Sequence, residues 1–134
     1  MLPQGTGAAS PSGLAQYHRL FELLLEHDIE PVPTLFHWDL PQALEDRGGF
    51  RQRESAWWFA DYAALMAEEY GDTVDRWATF NEPWCYAYLG HVRANTPRDC
   101  VTVQRRSRSH HELLATVMRC RRCDRCARTC RSAS

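Results

Sequence analysis

Twice this chain sets a short apolar run behind an amphipathic stretch and ends that run on polar side chains. Glu30-Pro31-Val32-Pro33-Thr34-Leu35-Phe36 leads into His37-Trp38-Asp39, and Val74-Asp75-Arg76-Trp77-Ala78-Thr79-Phe80 leads into Asn81-Glu82-Pro83. Short runs of this kind, bounded by turn residues, fit strands buried on both faces of a parallel sheet. Before the first run, Leu14, Tyr17, Phe21, Leu24 and Leu25 recur at helical spacing among Arg19, Glu22 and Glu26, which predicts a helix over about 14–27 capped by Ser12 or Gly13. Before the second, a helix is predicted over 55–70, with Ser55 as its cap, Trp58, Tyr62, Leu65 and Met66 as its apolar face, and Gly71 as its stop. Residues 39–53 read as a long loop punctuated by Gly48-Gly49, with one helical turn at 41–46. The order helix, strand, helix, strand predicts βα units and an α/β fold with a parallel sheet. By itself it does not choose a barrel over a doubly wound sheet.

The chain has 134 residues. That is too few for a complete (β/α)₈ barrel, which takes roughly 250. Its net charge of −1 hides a division: residues 1–92 hold five Arg against 14 Asp and Glu, and residues 93–134 hold 11 Arg against three. The domain organisation expected is therefore a partial α/β unit over 1–92 and an Arg- and Cys-rich tail over 93–134 that is not a domain. Residues 1–92 carry a single cysteine, Cys85, and Met1-Leu2-Pro3-Gln4-Gly5 lacks the apolar stretch of a secretory signal, so a cytoplasmic location is expected. No apolar run approaches the roughly 20 residues of a membrane span.

In parallel α/β folds the reactive groups gather where strands end. Here those ends offer His37, Trp38 and Asp39, and Asn81, Glu82 and Trp84. A carboxyl group sheltered by Trp77 and Phe80 would be desolvated, as suits a general acid at neutral pH. Tryptophan faces are flat apolar surfaces on which a sugar ring can stack. Each feature also has an ordinary reading. A histidine after a strand is most often a hydrogen-bonded structural residue, Asn-Glu-Pro a turn, and tryptophan core.

Taken together the motifs decide between these. Phe36-His37-Trp38-Asp39-Leu40-Pro41-Gln42-Ala43-Leu44 resembles the strand-three signature of glycoside hydrolase family 1, the β-glucosidase family, and Thr79-Phe80-Asn81-Glu82-Pro83-Trp84 resembles its strand-four signature. Gly48-Gly49-Phe50, Phe59-Ala60-Asp61-Tyr62 and Tyr70-Gly71-Asp72 lie between them at the family's spacing, and Leu2-Pro3-Gln4-Gly5-Thr6-Gly7 resembles the segment after strand two. The likeness runs over residues 2–91. It implies a fragment of a (β/α)₈ TIM barrel, about two βα units around strands 3 and 4. It also implies retaining hydrolysis of terminal β-D-glucosyl residues, without cofactor or metal, on a β-glucoside or short β-linked oligosaccharide. Glu82 matches the acid/base carboxyl, and Asn81 the group that binds the sugar 2-hydroxyl. His37 matches a ligand of the glycone hydroxyls, Trp38 its neighbour in the pocket wall, and Trp84 the aglycone border. Glutamate at 82 speaks against the thioglucoside-cleaving branch, where glutamine is usual. Retaining hydrolysis needs a second carboxyl about 5–5.5 Å from the first. The family's nucleophile lies in a Glu-Asn-Gly motif, and no Glu-Asn-Gly occurs in this chain, so the chain alone is expected to be inactive.

The tail admits three readings. Cys120, Cys123, Cys126 and Cys130 spell C-x₂-C-x₂-C-x₃-C, the iron–sulfur spacing, which makes a Cys-rich metal or Fe–S module the alternative function. Against it, Arg131 stands where a proline is usual, and Arg121, Arg122, Arg125 and Arg128 replace an apolar shell. The Arg-rich segment could bind phosphates nonspecifically, but it has no aromatic residue for stacking, and no nucleic-acid partner is expected. A shifted reading frame explains more. Every basic residue is Arg and none is Lys, as in a GC-rich gene. With G or C at silent third bases, the next frame from Ala94 can spell the family's Ala-Pro-Gly segment, and Ser109 to Ala115 again resembles the family's next helix in the present frame.

Overall fold

A computed structural model describes residues 1–88, so the Arg- and Cys-rich tail and every reading placed on it lie outside the described residues. The elements are α1 (Pro11–Glu26), β1 (Thr34–Phe36), α2 (Gln42–Asp46), a 3₁₀ turn at Gly49–Arg51, α3 (Ser55–Tyr70), β2 (Ala78–Phe80) and α4 (Pro83–Tyr88). The two strands pair in parallel, with Thr34 opposite Ala78 and Phe36 opposite Phe80. The predicted α/β alternation is present, with α3 carrying the chain between the strands.

Helix α1 starts three residues before the predicted Leu14. Ser10, rather than Ser12 or Gly13, caps it by accepting from the Gly13 amide at 3.3 Å, and Pro11 fills the first turn, where its missing N–H costs nothing. At the other end Asp28 adopts φ 58°, while the Asp28 and Ile29 amides donate to the Leu25 and Leu24 carbonyls at 3.0 and 2.9 Å. That is a Schellman closure, with aspartate in the left-handed position usually held by glycine.

Both strands are shorter than their apolar runs. Pro31 and Pro33 have no amide to donate, so pairing begins at Thr34, although the Pro33 carbonyl still accepts from the Ala78 amide at 3.0 Å. Val74 does not open β2. Its amide donates to the Tyr70 carbonyl at 2.9 Å in the turn that ends α3, and its side chain is buried in the core. That same turn, rather than a left-handed glycine, stops α3: Gly71 stays in the right-handed region at φ −66°. At the start of α3, Glu54 occupies the cap position. Ser55 lies inside the helix and donates its hydroxyl to the Gln52 carbonyl at 2.7 Å, which corrects its predicted role.

The buried face of α3 also differs from the predicted stripe. Ala56, Phe59, Ala60, Ala63, Met66, Ala67 and Tyr70 are buried, whereas Trp58, Tyr62 and Leu65 are only partly covered. The alanines turn to the core on the same face as Phe59, which leaves the bulkier Trp58, Tyr62 and Leu65 on the flanks of the helix. The core beneath the strand ends is aromatic. Phe36 meets Phe50, Phe80 and Tyr86 edge to face at centroid distances of 5.2, 5.5 and 4.9 Å, and Phe59 stacks on Phe80 at 4.5 Å. Tyr86 belongs to α4, so this cluster seats α4 directly behind the end of β2.

Candidate active site

The parallel pairing of β1 and β2 brings the two polar strand ends side by side. The ladder extends one residue past the strands, because the Asn81 amide donates to the Phe36 carbonyl at 2.9 Å. Across the same gap the Trp38 indole N–H donates to the Asn81 carbonyl at 2.8 Å. His37 and Trp38 lie with ring centroids 6.4 Å apart. Both turns leave the strands in unusual conformations, Trp38 at φ 79° and Glu82 at φ 42°. Residues with a Cβ are rarely held in this region outside functional or tightly constrained sites.

Glu82 opens α4, with its carbonyl accepting from the Tyr86 amide at 3.0 Å. One helical turn on, burial pushes the Cys85 thiol up; the Glu82 carboxylate beside it adds repulsion of the thiolate and accepts the thiol hydrogen bond. The apolar shelter expected for Glu82 is not formed among the described residues. Glu82 is exposed, Trp77 and Phe80 are only partly covered, and the Trp77 indole is turned to the Val74 carbonyl. Trp84 is 61% exposed. The structure thus joins His37, Trp38, Asn81 and Glu82 into one rim but leaves the acid candidate facing solvent.

A cavity of about 300 Å³ lies to the β1 side of this rim. Tyr17, Thr34, His37, Asp39, Trp58 and Tyr62 are among its lining residues, whereas Trp38, Asn81 and Glu82 are not. The lining phenol of Tyr62 is raised to about 12, chiefly by burial and secondarily by Tyr17 and Asp39. Of this set the sequence singled out only His37 and Asp39 as strand-end groups. Tyr17 and Tyr62 read as helix faces, and no local signal marks a side chain that points past its helix into a gap beside a strand. Among the described residues no group of three or more His, Cys, Asp or Glu is gathered as for a metal ion, and no helix is long and apolar enough to cross a membrane.

The profile of the glycosyl hydrolase family 1 sequences matches residues 1–130. The chain belongs to glycosyl hydrolase family 1. Beta-glucosidase A of Thermotoga maritima is 48% identical over 92 residues, covering 69% of this chain and 21% of the relative. Human lactase/phlorizin hydrolase is 46% identical over 99 residues, covering 72% of this chain and 5% of its own length. A Thermotoga maritima beta-glucosidase solved in complex with deoxynojirimycin superposes with a TM-score of 0.86 and 39% identity, covering 90% of this chain and 28% of that one. The chain therefore spans 21–28% of the bacterial family 1 beta-glucosidases it matches. Those enzymes are TIM barrels, and the two-stranded parallel sheet with its helices corresponds to a sector of one.

Proposed function

We propose that this chain is the acid/base sector of a retaining β-glucosidase, built around the third and fourth strands of a family 1 barrel. The observation that carries the reading is the rim itself: a glutamate at the end of one strand, preceded by an asparagine whose backbone is hydrogen-bonded to the end of the neighbouring strand, where His37 and Trp38 stand. In the assembled barrel Glu82 protonates the leaving glycosidic oxygen and then takes a proton from the attacking water. Asn81 holds the sugar 2-hydroxyl, His37 the glycone hydroxyls, and Trp38 offers its exposed ring as wall. The solved relative carries deoxynojirimycin, which supports a β-glucoside as the substrate class here.

The chain by itself lacks a second carboxylate in a Glu-Asn-Gly setting, so no glycosyl-enzyme can form. The purified chain should show no turnover of an aryl β-glucoside above buffer; robust, retaining turnover sinks the inactivity half of the proposal. The tail over 93–134 is read as the product of a shifted frame, with cytoplasmic placement for the protein as a whole. Resequencing the gene and its downstream DNA in all three frames tests that. An Ala-Pro-Gly segment followed by Glu-Asn-Gly in another frame supports it. An uninterrupted frame with nothing family-like beyond turns the Cys spacing into a metal question, to be answered by metal analysis of the purified chain.

A further inference from the structure

Two residues with side chains sit in the left-handed region at the rim, Trp38 at φ 79° and Glu82 at φ 42°. Such a backbone persists only where its surroundings over-determine it. For Glu82 the constraints are hydrogen bonds on either side of its Cα. Its preceding peptide, Asn81–Glu82, is held through the Asn81 carbonyl, which accepts from the Trp38 indole at 2.8 Å, and the peptide before that, Phe80–Asn81, through the Asn81 amide, which donates to the Phe36 carbonyl at 2.9 Å. Its following peptide is fixed by the Tyr86 amide at 3.0 Å. Glu82 is therefore strung between two pinned peptide planes, and of the three bonds the indole one alone comes from a side chain. The left-handed turn at Trp38 swings that indole back across the strand gap, so the strain at Trp38 serves the strain at Glu82.

We propose that Trp38 is a positioning residue for Glu82: its indole N–H clamps the Asn81–Glu82 peptide and so fixes the direction in which the carboxyl leaves the strand end. Trp38 as a whole remains 40% exposed, so clamping with the N–H edge is compatible with offering the ring to a ligand. The catalytic meaning rests on the reading of Glu82 as the acid/base carboxyl; the clamp itself does not.

The clamp can be tested on the intact 134-residue chain without glycosidase activity. Labelled at the indole nitrogens, the Trp38 hydrogen should exchange with solvent about fivefold more slowly than that of Trp57, as one net hydrogen bond implies. Trp57 is the comparator because it is similarly exposed, at 50%. Equal rates overturn the proposal. Three replacements at position 38 then separate bond from bulk. Trp38→Phe and a benzothienylalanine analogue, which keeps the fused ring but has no N–H, should both move the Glu82 ¹³Cα shift toward that of a right-handed residue. A 7-azatryptophan analogue, which keeps the N–H, should restore it. If the benzothienyl analogue leaves the Glu82 signal in place, packing rather than the hydrogen bond holds the turn and the proposal fails. Should Trp38→Phe not fold, the isosteric pair still decides. Because none of these readouts uses a glucoside, loss of the glycosidase reading and loss of the clamp are distinguishable.

Discussion

At the scale of single residues, exposure and exchangeable partners separate what each side chain does. Glu82 is exposed and contributes little packing, so Glu82→Gln should change the unfolding free energy of this chain by no more than about 0.5 kcal/mol. In a barrel reassembled by adding the remaining family 1 polypeptide, the same change should lower kcat on an unactivated glucoside by about 10²–10⁴-fold, as expected when a general acid is removed. Denaturant titration and a glucose-release assay check the two halves separately. Phe36 is the opposite case. It is buried and touches three other rings, so Phe36→Ala should cost about 3–5 kcal/mol, read as a lowered urea midpoint. His37, its neighbour, lies one residue past the end of β1 and is exposed.

At the scale of elements, the junction of α1 and α3 holds the unit together. The Tyr70 hydroxyl donates to the Leu14 carbonyl at 2.9 Å, its ring meets Phe21 edge to face at 5.2 Å, and His18 reaches Glu69 at 2.6 Å. Tyr70→Phe should therefore cost about 1 kcal/mol by loss of one net hydrogen bond, measured by thermal or urea unfolding. The same junction predicts alkaline lability. Burial, with Glu69 and Tyr17 adding to it, pushes the Tyr70 phenol up to about 12, and burial does the same for Tyr62. A phenol whose folded value lies above its ordinary 10.0 keeps its full stabilising contribution below pH 10 and loses it as pH rises from 10 through 12. Ellipticity should fall across that interval together with the rise of tyrosinate absorbance, and Tyr70→Phe should flatten the fall. A flat stability profile from pH 9 to 12 contradicts the assignment.

At the scale of the whole molecule, the apolar surface left uncovered is as informative as the core. Leu20 and Leu23 on α1, with Ile29 and Val32 on the way to β1, are each 44–51% exposed. Each strand of the two-stranded sheet also keeps one edge without a described partner strand. Exposed apolar area and an unpaired strand edge favour association. The isolated chain should bind a hydrophobic dye and scatter light increasingly with concentration, and a Leu20→Glu, Leu23→Glu double substitution should reduce both. Concentration-independent monodispersity of the unmodified chain contradicts this.

Much of this was legible in the residues. Gly48-Gly49 punctuates the chain where it turns, the helical spacings located both long helices, and the apolar runs ending in His37 and Glu82 located both strand ends, because helix and strand periods are set by local backbone geometry. The motifs between Leu2 and Trp84 carried the family, since together and in order they are specific where each alone is not. What only the tertiary structure decided is which partners meet. The choice of the alanine face of α3, the exposure of Glu82 and the reach of the Trp38 indole to the Asn81 carbonyl all depend on groups far apart in sequence. Burial and hydrogen-bond satisfaction are properties of an environment, and no window along one strand or helix contains the residues that supply it.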